Sequence, residues 1–166
     1  GRHADAKENI RRFAAFEKGG LIPNRIRGDH ADYNTVDGSM WFVQAVRQYG
    51  EASGDRAFTA ELLPVLRRIL KSYAEGTGYR MHGRFNRIAM DADGLIVSPA
   101  QATWMDADPE GRDRPVTPRN GKAVEINALW HNALRAMAGF ARRLSEPDTY
   151  TAMADRVQAN FGKFWY

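Results

Sequence analysis

The chain has 166 residues, of which 43% are hydrophobic and 27% charged, and 24 Lys and Arg stand against 20 Asp and Glu for a net charge of +4. This composition excludes a disordered chain and supplies one real core, because a chain of this length buries roughly two thirds of its unfolded surface. No apolar run approaches the ~20 residues that span a bilayer, the first eighteen residues are charged throughout and so carry no signal peptide, and the lack of cysteine excludes disulfides, thiolate metal sites and a Cys nucleophile. These features fit a cytoplasmic protein.

Five segments carry apolar residues at helical spacing. The first, Ala4 to Lys18, places Ile10, Phe13, Ala14 and Phe16 on one side and ends at Gly19-Gly20. The second, Ser39 to Ala52, carries Trp41, Phe42, Ala45, Val46 and Tyr49 and is closed by Gly54-Asp55. The third, Asp55 to Tyr73, aligns Leu62, Leu66, Ile69, Leu70 and Tyr73, with Pro64 marking a kink or a second start. The basic pairs Arg11-Arg12, Arg67-Arg68 and Arg142-Arg143 fall within helices, which reads as solvated helix faces, and no nucleic-acid motif accompanies them.

A short hairpin follows, Phe85 to Met90 and Leu95 to Val97 around Asp91-Ala92-Asp93-Gly94. The stretch from Ala100 to Gly121, with Pro109, Pro115 and Pro118, shows no periodicity and is a long loop of the kind that is often functional. Lys122 to Leu144 is a broadly apolar helix, expected to be well buried, and Asp148 to Phe164 is the last. The expected fold class is all-α, a single domain over 1–166. Antiparallel helix pairs with inter-helix loops on one face suggest an α/α toroid, and five helices make about half of one.

Three blocks carry chemistry. In the loop before the second helix, Asp37 has two readings, a helix cap or a sugar-binding carboxylate with Tyr33, Asn34 and Trp41 around it. A pyranose asks for acceptors for its hydroxyls and an aromatic face for its C–H bonds. Asp106 follows Trp104-Met105 in the long loop, either as a solvated turn former or as an acid that protonates a leaving glycosidic oxygen. In Arg119-Asn120-Gly121-Lys122-Ala123-Val124-Glu125-Ile126-Asn127, a carboxylate in an apolar helix needs partners, and Arg119 or Lys122 can supply them. That arrangement is an ion pair at the helix start or a substrate-facing carboxylate with flanking donors.

Taken in order, the blocks Gly-Leu-Ile-Pro-Asn at 20–24, Tyr-Asn-Thr-Val-Asp at 33–37, Asp-Gly-Leu-Ile at 93–96, Thr-Trp-Met-Asp-Ala at 103–107 and the run from Val116 to Trp130 resemble the carboxy-terminal amylo-α-1,6-glucosidase domain of glycogen debranching enzymes. The resemblance covers nearly the whole chain. It implies the central part of a glucoamylase-like (α/α)6 barrel, acting on α-1,6 branch linkages of glycogen or limit dextrin by inversion. It implies Asp106 as the general acid, and Tyr33, Asn34 and Asp37 as the block that holds the terminal glucose. Arg119, Lys122, Glu125 and Asn127 would line the same pocket, with Trp104 and Trp130 as stacking surface. No metal or organic cofactor is implied, nor a nucleic-acid or membrane partner.

The family's earlier Arg-Asp block and its downstream general base have no counterpart here. The expectation is therefore a piece of a larger enzyme, inactive alone and able to self-associate through barrel surface left uncovered. The alternatives are a non-catalytic helical interaction module and a fragment of another (α/α)6 glycosidase such as a trehalase or glucoamylase.

Overall fold

The computed structural model describes residues 1–111 and 114–164. Five α-helices hold about half the chain: α1 (His3–Ala15), α2 (Asp37–Ser53), α3 (Arg56–Glu75), α4 (Val124–Arg143) and α5 (Tyr150–Asn160). Between them lie β1 (Arg25–Arg27), β2 (His30–Asp32), β3 (Thr77–Met81), β4 (Arg84–Met90) and β5 (Ile96–Val97). Strands β1 and β2 form a hairpin, and β3-β4-β5 form an antiparallel sheet in that order.

The helices end where local chemistry stops them. Helix α1 ends at Ala15, short of Lys18, because the chain tightens into bonds from Phe16 N–H to Phe13 and from Glu17 N–H to Ala14, then turns through Gly19 and Gly20 in left-handed conformation. The second glycine is required, since a Cβ there would lie 2.2 Å from the Ser72 Cβ of α3. Helix α3 is capped by Asp55, which accepts from Phe58 N–H, and it runs unbroken through Pro64. Its expected apolar stripe is entirely buried. Helix α5 stops at Asn160, and a 3₁₀ turn over Phe161–Phe164 completes what reads in sequence as one helix.

The five expected helices and the short hairpin are present, and the strands go further than expected, into two small sheets. The predicted hairpin exists, with Met90 opposite Ile96 and Ala89 opposite Val97, but β3 pairs along the other edge of β4 over five residues. The β3–β4 turn is His82-Gly83, both with positive φ (50° and 76°), the two-residue turn whose twist suits a hairpin.

The core joins these parts. Trp130 of α4 is fully buried, stacks on Tyr73 of α3 with ring centroids 6.2 Å apart, and donates its indole N–H to the Gly94 carbonyl of the hairpin turn. Tyr73 in turn donates its hydroxyl to the Val36 carbonyl ahead of α2. The long loop is also anchored: Ser98 and Gly121 exchange N–H···O bonds of 3.0 and 2.9 Å, which brings its two ends together. No helix among the described residues is long and apolar enough to cross a membrane.

Candidate functional site

Asp37 is the first residue of α2 rather than a residue ahead of it, so its side chain is not the helix cap; Val36 occupies that position without a side-chain bond. The Asp37 carboxylate is buried, and burial pushes its pKa above the usual carboxylate value, opposed by bonds from backbone N–H groups including those of Gly38 and Trp104. The Tyr-Asn-Thr-Val-Asp block is tied to the segment that opens the Thr-Trp-Met-Asp block by Val36 N–H donating to the Ala102 carbonyl at 2.7 Å.

Around this junction the chain exposes aromatic surface. Trp104 is 68% exposed, and Trp41, one helical turn beyond Asp37 and so on the same face, is 56% exposed. Asp106 is half-buried two residues past Trp104, and Gln101 holds its backbone by donating to the Asp106 carbonyl at 2.9 Å. Tyr33 donates its hydroxyl to the Phe16 carbonyl at 2.5 Å. Asn34 is half-buried, and its Oδ1 has no hydrogen-bond partner.

Tyr79 of β3 belongs to the same neighbourhood, and sequence reasoning missed it. Its hydroxyl is pushed up to about 12, first by burial and then by the negative charges of Asp106 and Asp37, against an opposing contribution from Arg84.

The third block divides. Arg119 and Glu125 form a two-pronged ion pair, Nε to Oε1 at 2.8 Å and Nη2 to Oε2, at the start of α4. Burial would raise the Glu125 carboxyl, but the Arg119 bonds and charge together with its own backbone N–H hold it below its ordinary value. Lys122 turns the other way, to Asp91 at 2.7 Å and Asp93 at 2.8 Å, and pins the hairpin turn. Asn127 is fully buried; its Oδ1 accepts from Ile96 N–H at 2.6 Å, and its Nδ2 donates to the Ile96 and Ala123 carbonyls. Trp130, expected as stacking surface, has no exposed face to offer. Lys122, Asn127 and Trp130 therefore staple the start of α4 to the β4–β5 turn, while the segments that carry Asp37 and Asp106 are joined through the bond from Val36 to Ala102. Among the described residues no cluster of three or more His, Cys, Asp or Glu is arranged to hold a metal ion.

The fold is one that glycosidases use. A rhamnosidase from Klebsiella oxytoca, solved with rhamnose bound, superimposes over 95% of this chain and 27% of its own with a TM-score of 0.65 at 19% identity, a likeness of fold alone. The family model described as amylo-alpha-1,6-glucosidase matches residues 1–166, and the chain belongs to that family. The glycogen debranching enzyme of Saccharomyces cerevisiae is 29% identical over 227 aligned residues, which take in all of this chain and 15% of the yeast protein. The chain thus spans about one seventh of that relative.

Proposed function

We propose that this chain is the central part of an α/α toroid that hydrolyses α-1,6-glucosidic branch linkages, with Asp106 as general acid and Asp37 as the carboxylate that orients the terminal glucose. The observation that carries the reading is the bond from Val36 N–H to the Ala102 carbonyl at 2.7 Å, which joins the residue before Asp37 to the segment leading into Trp104 and Asp106. The exposed indoles of Trp41 and Trp104 beside it suit the C–H face of a pyranose. Family membership and the yeast debranching enzyme support the substrate class.

In this mechanism the glucosyl residue seats against the indoles, and Asp37 accepts hydrogen bonds from its hydroxyls. Asp106 delivers its proton to the glycosidic oxygen as the C1–O bond breaks. A base from outside this chain, its carboxylate about 6.5–9.5 Å from that of the acid, removes a proton from a water that adds to C1 from the opposite face. Glucose leaves as the β-anomer, and Asp106 regains its proton from solvent. The 166 residues alone would bind sugar without turnover, since acid and base act in concert.

The test is Asp106→Asn in the full reading frame. Hydrolysis of a branched dextrin falls roughly 10²–10⁴-fold while dextrin binding persists, and the unaltered enzyme releases β-glucose first by NMR. Turnover close to that of the unaltered enzyme in the variant, or α-glucose as first product, would overturn the assignment.

A further inference from the structure

A groove of about 1120 Å³ lies between the β1–β2 hairpin on one side and the β3–β4 hairpin on the other. It exceeds the roughly 300–1000 Å³ of pockets that bury drug-sized ligands, so it has room for a short oligomer. Asn34 and Tyr79, both at the candidate site, also line this groove. Tyr79 is only 5% exposed, and both its hydroxyl and the Asn34 Oδ1 are buried without a hydrogen-bond partner. Stranding two such atoms is costly, and groups of this kind call for an explanation. The carbonyl accepts, and the phenol donates or accepts, so sugar hydroxyls, which do both, are suited to each.

The remaining lining offers aromatic rings together with the cations Lys18 and Arg80. The Tyr33 hydroxyl is engaged with Phe16, so its ring is what the residue offers to the groove. Phe85 of β4 is 52% exposed at the groove wall, an apolar plate in water. The Arg25 charge is met by Asp32 at 2.7 Å, so this wall does not present it to an anion.

We propose that this groove is a second α-glucan subsite, in which Tyr79 and Asn34 bind a ring hydroxyl and Phe85 stacks against the next ring along the chain. The proposal rests on the reading of Asp37 and Asp106 as a glucan site and extends it.

The experiment is an NMR titration of the 166-residue chain with maltotriose and, separately, with methyl α-glucoside. Maltotriose should shift the amides of residues 78–80 and 85, and Tyr79→Phe, which keeps the ring, should weaken its binding roughly three- to tenfold. Phe85→Ala should weaken maltotriose binding by a similar factor and leave methyl α-glucoside unchanged. Shifts at residues 36–37 and 103–106 with none at 33–34, 78–80 and 85, or equal affinity of Tyr79→Phe and the unaltered chain, would overturn the groove while leaving the first site standing. Shifts in the groove alone would support it and remove the first site, and no binding of either sugar would overturn both.

Discussion

Replacing Asn127 with alanine separates a structural from a sugar-binding role for the third block. In the folded chain Asn127 lies at zero exposure between α4 and β5, with its Oδ1 2.6 Å from the Ile96 amide nitrogen. Alanine strands that buried donor at a cost of about 1–3 kcal/mol. It also removes the 3.1 Å bond to the Ile96 carbonyl, worth about 0.5–1.5 kcal/mol. The Ala123 carbonyl keeps a partner in the Asn127 backbone N–H, so it adds little. The expected loss is about 2–4 kcal/mol, a large share of the roughly 5–15 kcal/mol available to a folded domain. It should appear as a fall in Tm of roughly 5–15 °C and a lower urea midpoint at unchanged slope. Asn127→Asp keeps an acceptor for Ile96 N–H but buries a charge, so its deficit should shrink on acidification. A stability change under about 0.5 kcal/mol, or weakened sugar binding at full stability, would refute the staple.

Other outcomes follow from single sites. Asp37 has a folded pKa above its unfolded value, so its contribution is fully present below about pH 4 and is lost as pH rises through the folded pKa. Asp37→Asn should flatten that decline in urea midpoints taken from pH 4 to 7, and an identical slope in both proteins would contradict it. Asp55 is the opposite case: bonds from Lys7, Phe58 N–H and Tyr49 hold its carboxyl at about 2. Its contribution is present above about pH 4 and lost as pH falls through 2, and acid unfolding of Asp55→Asn should lack that step. At Gly78 a Cβ would lie 2.2 Å from the Asn86 carbonyl oxygen across the β3–β4 pair. Gly78→Ala should therefore destabilise by about 1–3 kcal/mol in thermal melts, and a melt matching the unaltered chain would show that the strands separate freely.

The helices were legible because apolar spacing reports a buried face directly, as the fully buried Leu62, Leu66, Ile69, Leu70 and Tyr73 stripe shows. The strands were less so. Strand β3 begins Thr-Gly-Tyr, where glycine interrupts the alternation that marks a strand, and with it Tyr79 escaped notice. Strands β1 and β2 expose four of six residues and carry no apolar run at all. The hairpin turn before β4 had a signal in His82-Gly83 that the eye passes over, since Asn-Gly and Asp-Gly are the common forms.

Asp37 and Asp106 were picked out from separate blocks of sequence, and what the fold adds is the backbone bond from Val36 to Ala102 between those blocks. The same method misjudged Trp130, because a tryptophan in a broadly apolar helix looks alike whether it faces a ligand or the core. It also could not assign Lys122 to Asp91 and Asp93, some thirty residues back in the chain, and those bonds turn the ammonium to the hairpin. Glu125 showed the value of weighing both readings, since its ion pair with Arg119 is real and its exposure is intermediate.

The most direct check on a shared sugar site at Asp37 and Asp106 is a set of intermolecular NOEs between isotope-labelled isomaltose and this chain. The account predicts contacts from one glucosyl ring to the Trp104 indole and to protons of residues 37 and 106 together. Contacts to the exposed faces of α1 and α5, with none at those three residues, would contradict it.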